Sequence, residues 1–152
     1  MSEYYAKVDW QRNEQNFLGR KYSRGHQWHF EGGVTVPASS SPHIVPVPMS
    51  VAENVDPEEA FVASISSCHM LFFLDFASRA GLTVNRYTDQ AVGVLAKNPA
   101  GRLAMTKVTL RPNIVFEGKK PGKEQIGHLH HQAHEACFIA NSVLSKVQVE
   151  PQ

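Results

Sequence analysis

The chain has 152 residues, and 15 Lys+Arg against 14 Asp+Glu leave a formal charge of +1, with 42% hydrophobic and 19% charged residues. That size and balance predict one globular domain with its own core and exclude a disordered chain. A near-neutral chain without a dense Lys/Arg block argues against nucleic acid as a partner.

No apolar run approaches the ~20 residues of a bilayer span, since the stretch from Met70 to Phe73 is soon followed by Asp75, so no membrane partner is expected. Met1-Ser2-Glu3-Tyr4 shows no basic segment leading into an apolar one, which predicts no secretory signal and a reducing, cytoplasmic setting. In such a compartment the two cysteines, Cys68 and Cys137, are too few for an all-cysteine zinc site. A long-range structural disulfide is also not expected there. By themselves they read as two small core residues.

Residues 4–10 alternate in character and predict a strand, and residues 26–36 predict strands around Gly32-Gly33. Pro37, Ser39-Ser40-Ser41, Pro42, Pro46 and Pro48 mark a long loop, because proline supplies no ladder donor. Asp56-Pro57-Glu58-Glu59 then places an N-cap acid, a proline at the first helical position and an acid two positions further. The helix should run to about Ala80, stop at Gly81, and span ~36 Å. Its apolar residues lie all round it, which predicts burial on most faces, by its own sheet and by a partner subunit.

Residues 83–97 and 103–116 read as two strands joined by the turn Asn98-Pro99-Ala100-Gly101. A second helix is predicted over 123–140, with Ile126, Leu129, Ala133, Ala136, Cys137 and Ala140 on one stripe, and a short strand over about 144–149. The order β-β-α-β-β-α-β predicts an α+β domain, helices packed on antiparallel sheet.

Cys68 falls mid-helix on the stripe of Phe61, Ser64, Ile65 and Phe72, and Cys137 on the apolar stripe of the second helix. Both thiols are therefore expected to face inward, either as inert core residues or as a dithiol that cycles through a disulfide. Glu58 precedes Cys68 by ten residues, ~15 Å along one helix. It can serve the same site only from a second subunit; otherwise it simply stabilises the helix N-terminus. His130 and His134 are four apart, with Cys137 three beyond, so a zinc site is conceivable, though no compact metal-binding motif is present. His128 and His131 should be solvated, and His69, next to Cys68, points about 100° away from it and is a poor base for that thiol. Phosphate-cradling loops and a GxSxG elbow are absent.

The run Asp56-Pro57-Glu58-Glu59-Ala60-Phe61, followed by Ala63, Ser66, Ser67 and Cys68, resembles the "NPEELxxAAxxxC" helix of the OsmC/Ohr family, the osmotically inducible and organic hydroperoxide resistance proteins. Ala133-His134-Glu135-Ala136-Cys137, continuing to Ala140-Asn141, resembles the family's "AHxxCPxSNA" element. The resemblance implies an OsmC-like α+β fold: a single domain over 1–152, a long central helix against antiparallel sheet, and an intertwined homodimer with active sites at the interface. It further implies a thiol peroxidase that reduces organic hydroperoxides to alcohols without a cofactor. Cys68 matches the peroxidatic and Cys137 the resolving cysteine, and the implied reductant is a dithiol of the lipoyl type.

Glu58 matches the acid that orients a catalytic arginine. Arg24, in Tyr22-Ser23-Arg24-Gly25, stands about where the family places that arginine, with Arg20 and Arg12 as alternatives. Phe61, Phe72 and Phe73 are candidate apolar walls suited to an organic hydroperoxide. The alternative function is an OsmC-like stress-response or ligand-binding dimer without efficient turnover. Two departures bear on substrate and subfamily: Phe138 stands where the family commonly has proline, and the loop over 37–48 matches no family motif.

Overall fold

The computed structural model describes residues 1–152. The chain divides into two compact units, Met1–Ala60 and Phe61–Gln152. In the first, β1 (Ala6–Asp9), β2 (His26–Phe30) and β3 (Thr35–Ala38) form an antiparallel sheet in that order. Trp28 is the pivot of its register, pairing with Val8 on one side and Val36 on the other. The β2–β3 turn uses Gly33 at φ +85°, a left-handed conformation that costs glycine nothing.

The proline-rich loop after β3 is held by its own polar groups. Ser39 N–H donates to Val55 O and Val55 N–H to Pro37 O, while the Ser39 hydroxyl accepts from Val51 N–H at 2.9 Å. Asn54 Nδ2 donates to Ala38 O at 3.1 Å. These bonds replace the ladder that the prolines cannot make.

Helix α1 (Pro57–Arg79) begins where the Asp-Pro-Glu-Glu signal predicts. Glu59 N–H donates to Asp56 Oδ1 at 2.8 Å, and Asp56 N–H donates back to Glu59 Oε2 at 3.1 Å, a reciprocal capping box. At the other end Leu82 N–H reaches Ala77 O and Gly81 N–H reaches Ser78 O, with Gly81 at φ +75°. Both terminal sets of orphan groups are thereby partly satisfied.

In the second unit each long strand of the sequence reading is split in two. β4 (Val84–Asp89) pairs antiparallel with β7 (Pro112–Phe116), and β5 (Val92–Lys97) with β6 (Leu103–Leu110). The physical cause sits at the break. Pro112 has no N–H to continue a ladder, and the N–H of Arg111 is taken by Asp89 Oδ1 at 2.6 Å. The closing strand β8 (Lys146–Val149) joins β6 in parallel, so the sheets are antiparallel except at this edge.

Helix α2 (Lys123–Ala136) is shorter than the predicted 123–140. It ends at Cys137, whose ψ of 107° turns the chain out, and a 3-10 turn at Ala140–Ser142 follows. Asn141 Nδ2 caps the carbonyl of Glu135 at 3.0 Å.

Two apolar clusters fill the second unit. Phe73 and Ala77 of α1 pack with Ile114 and Phe116 of β7 and Ile126, Leu129 and Ala133 of α2. Ile65 of α1 packs with Val108 and Leu110 of β6. The buried ridge of α1 is thus Ile65, His69, Phe73 and Ala77, at steps of four residues. By length and composition α1 is apolar enough to cross a bilayer, which revises the expectation that no segment approaches this. Its buried ridge is instead built into the protein core, yet only 22% of its most apolar stretch is buried by the chain itself, and Leu71 is 60% exposed.

Asp56→Ala should remove both bonds of the capping box and lower stability by about 1 kcal/mol. The expected readout is a lower urea midpoint with an unchanged slope.

Candidate active site at the two cysteines

The structure brings Cys68 of α1 and Cys137 at the end of α2 together as free thiols close enough to influence one another. They differ in environment. Cys137 is fully buried, whereas Cys68 is only half-buried, because the α1 ridge that enters the core is the one carrying His69. The expectation that both thiols face inward therefore holds for Cys137 and is corrected for Cys68.

Burial pushes the Cys137 thiol up to about 11, and the neighbouring Cys68 adds to that. The N–H groups of Ala140 and Ile139 act in the opposite sense, favouring a thiolate; Ala140 N–H lies 3.4 Å from Cys137 Sγ. This contact exists only because the helix stops at Cys137 and the chain folds back. At neutral pH Cys137 is a protonated thiol.

Between the two helices lies a buried imidazole pair. His69 Nε2 and His130 Nδ1 are 3.0 Å apart, the rings are nearly parallel at 12°, and the residues are 1% and 3% exposed. One of these nitrogens must donate and the other accept, so the two tautomers are linked. Burial depresses both histidines to about 4; His134 adds to the depression at His69, where Asp89 acts oppositely, and His69 adds to that at His130. His69 Nδ1, His130 Nε2 and His134 Nδ1 are buried without a hydrogen-bond partner. Asp89 is itself held by the Ser66 hydroxyl at 2.5 Å and by the Arg111 N–H. The buried Tyr87 hydroxyl is shifted upward by burial and by the same carboxylate.

His69 faces His130, in keeping with its poor geometry as a base for the adjacent thiol. His128 and His131 are exposed. No group of three or more His, Cys, Asp or Glu side chains is arranged to hold a metal ion, so the His130, His134 and Cys137 arrangement is not a ligand set.

The remaining sequence candidates fall into two groups. Phe73 is fully buried in the core and is not free to line a substrate wall, which corrects that assignment. Phe61 packs against the Ile65 cluster, and Phe72 is half-buried, stacked on Phe76 and edge-on to Phe138 at 5.0 Å. Phe138, 70% exposed, is an apolar surface beside the site that the sequence reading treated only as a departure from proline.

In the first unit, Arg24 does not pair with Glu58. Its guanidinium lies 3.7 Å over the Tyr22 ring and donates to the carbonyls of Arg20 and Tyr22. Glu58 has a buried oxygen, Oε2, with no partner. Arg12 donates to Gln15 O, and no arginine forms an ion pair with Glu58. The His69–His130 pair and Asp89 were not singled out from sequence as a unit. Their signal was the buried step of four from Ile65 to His69 to Phe73, which puts a polar ring in a core position.

Both histidines have folded-state values below the ordinary 6.5, so the unfolded chain binds more protons between about pH 4 and 6.5. Stability is expected to be full above that window and to fall as the pH drops through it, by on the order of 3 kcal/mol for each histidine. Urea midpoints of the parent and of a His69→Gln, His130→Asn double variant should diverge: the variant loses this slope.

The OsmC-like protein family matches residues 51–152 of the chain. An OsmC-like protein of unknown function from Vibrio cholerae is 54% identical over 100% of both chains, with a TM-score of 0.98. Two organic hydroperoxide resistance proteins share the fold at low identity. That of Elizabethkingia anophelis has 16% identity and a TM-score of 0.73 over 99% of this chain and 94% of its own. That of Bacillus subtilis has 19% and 0.67 over 98% of each. No curated protein matches the chain.

Proposed function

The chain belongs to the OsmC-like protein family, and on that premise we propose that it is a thiol peroxidase that reduces organic hydroperoxides to alcohols. The observation that carries this reading is the proximity of an accessible thiol, Cys68, to a buried one, Cys137. In the first step the Cys68 thiolate attacks the terminal peroxide oxygen. The O–O bond breaks, the alkoxide takes a proton and leaves as the alcohol, and Cys68 becomes a sulfenic acid. Cys137 then displaces that hydroxyl as water and forms the Cys68–Cys137 disulfide. An external dithiol, of the lipoyl type the family resemblance implies, reduces it by exchange.

The same reading takes residues 1–152 as one functional domain and the active unit as a homodimer in the cytoplasm. The largely unburied apolar surface of α1 supports a second copy as its cover. Glu58, with its unpartnered oxygen, would meet a guanidinium in that assembly, Arg24 being the first candidate. Phe61, Phe72 and the exposed Phe138 would face the organic part of the substrate.

One observation favours the runner-up, an OsmC-like binding or stress-response dimer without efficient turnover: Arg24 is engaged by Tyr22 and backbone carbonyls and not by Glu58. One equivalent of tert-butyl hydroperoxide should remove both thiols and produce the intramolecular disulfide. Cys68→Ser should abolish peroxide consumption, and Cys137→Ser should leave a sulfenic acid open to trapping by a dione. Thiols that remain reduced after peroxide would support the runner-up.

A further inference from the structure

In a regular strand Val84 and Tyr87, three residues apart, would point to opposite faces. Both pack on the Phe73 cluster, because the register steps from Val84 opposite Phe116 to Arg86 opposite Val115 and leaves Asn85 bulged out. The bulge turns Arg86 outward, to the side of the β4–β7 pair that carries Thr88.

That side holds an open cavity of about 370 Å³, lined by Arg86, Thr88, Gln90, Arg111, Asn113 and Gln152. All six belong to the second unit. Thr88 and Asn113 pair across the two strands, and Gln152 is fixed beside them by its N–H, which donates to Pro112 O at 3.0 Å. The cavity has the size of a small-molecule site but not the usual apolar walls. Its lining carries two guanidiniums, three amides and a hydroxyl, with no carboxylate side chain and no aromatic or aliphatic one.

Neither guanidinium is neutralised within the cavity. Arg86 is in no ion pair. Arg111 lies 3.6 Å from Glu150 Oε2 through its Nε, a half-exposed pair of little strength that leaves the two terminal nitrogens for a ligand. The other acids nearby are engaged: Asp89 accepts from the Ser66 hydroxyl and the Arg111 N–H, and Glu117 Oε2 accepts from Asn85 Nδ2 at 2.6 Å. The Arg111 backbone is therefore fixed while its guanidinium is not. Two like charges on one wall repel, and an anion between them removes that cost.

We propose that this cavity is a binding site for a small, oxygen-rich anion, a phosphate ester or a di- or tricarboxylate. The Arg86 and Arg111 forks match the oxygens of a phosphate or carboxylate. The amides of Gln90, Asn113 and Gln152 and the Thr88 hydroxyl both donate and accept, which suits hydroxyls or further carboxyls on the rest of the ligand. A lining without apolar side chains gives no shelter to the alkyl or aryl body of an organic hydroperoxide, so the occupant differs in class from the peroxidase substrate.

Calorimetric titration of the full chain with inorganic phosphate, glucose 6-phosphate and citrate should give saturable binding of one anion per chain for at least one of them. Glucose, the uncharged control, should give none. The two phosphate arms identify a phosphate source and the citrate arm a carboxylate source. Arg86→Gln and Arg111→Gln should each weaken binding about 10-fold or more. Both side chains are at the surface, so the variants should unfold at the parent temperature. Arg102→Gln, which removes the same charge from the exposed β5–β6 turn, should bind like the parent. Amide resonances of Thr88, Gln90 and Asn113 should move on saturation, and those of Lys119 and Lys120 should not.

Absence of saturable binding for all three anions overturns the site. So does binding that Arg86→Gln and Arg111→Gln leave at parent strength, or an equal loss in Arg102→Gln, which would mark attraction to net charge alone. Shifts confined to the loop of Lys119 and Lys120 overturn it as well. A chain that ignores hydroperoxide yet binds an anion through Arg86 and Arg111 loses the peroxidase reading and keeps the site. A chain that reduces hydroperoxide and binds none of the anions keeps the peroxidase reading and loses the site.

Discussion

The hydrogen bond between His69 and His130 is the constraint around which the second unit is organised. It joins the two helices that carry the cysteines, one residue from Cys68 on α1 and two turns before Cys137 on α2. Apolar neighbours on both sides exclude water: Ile65 and its cluster towards one end of α1, Phe73 and Ala77 with theirs towards the other. In that setting a polar pair either finds its partner or destabilises the fold, so it fixes how the helices stand against each other. A purely apolar contact would tolerate sliding; a 3.0 Å bond between rings does not.

A second polar device performs the same service on the sheet side. Asp89 accepts from the Ser66 hydroxyl of α1 and from the Arg111 N–H at the point where the strands break. One carboxylate therefore ends two ladders and ties the helix to them two residues before Cys68. The position of that cysteine is set by its neighbours Ser66 and His69, held by Asp89 and His130, none of which is itself a thiol. The break in α2 at Cys137 completes the arrangement, because it aims the Ala140 N–H at sulfur.

The two thiols are asymmetric for the same reason. The helix ridge that enters the core carries His69 inward and leaves Cys68 at its edge, while Cys137 closes the apolar face of α2. An accessible sulfur beside a buried, protonated one suits a sequence of two steps in which only the first needs an outside reactant.

Sequence alone determined the local signals with strong chemical cause. The Asp56-Pro57-Glu58-Glu59 start and the Gly81 stop bracket α1 because caps and left-handed glycine act within a single turn of chain. It also carried both cysteines and the motifs around them. It missed the breaks at Gln90–Ala91 and at Arg111, because those depend on a carboxylate reaching a backbone N–H 22 residues away. It extended α2 through Cys137, since an apolar period continues past the residue where the chain folds back and Asn141 caps the Glu135 carbonyl. Tertiary structure alone decided that His69 rather than Cys68 points into the core, that Phe73 is core and not wall, and that Arg24 turns to Tyr22. Helical periodicity says which residues share a face; what that face meets is settled only when distant elements pack against it.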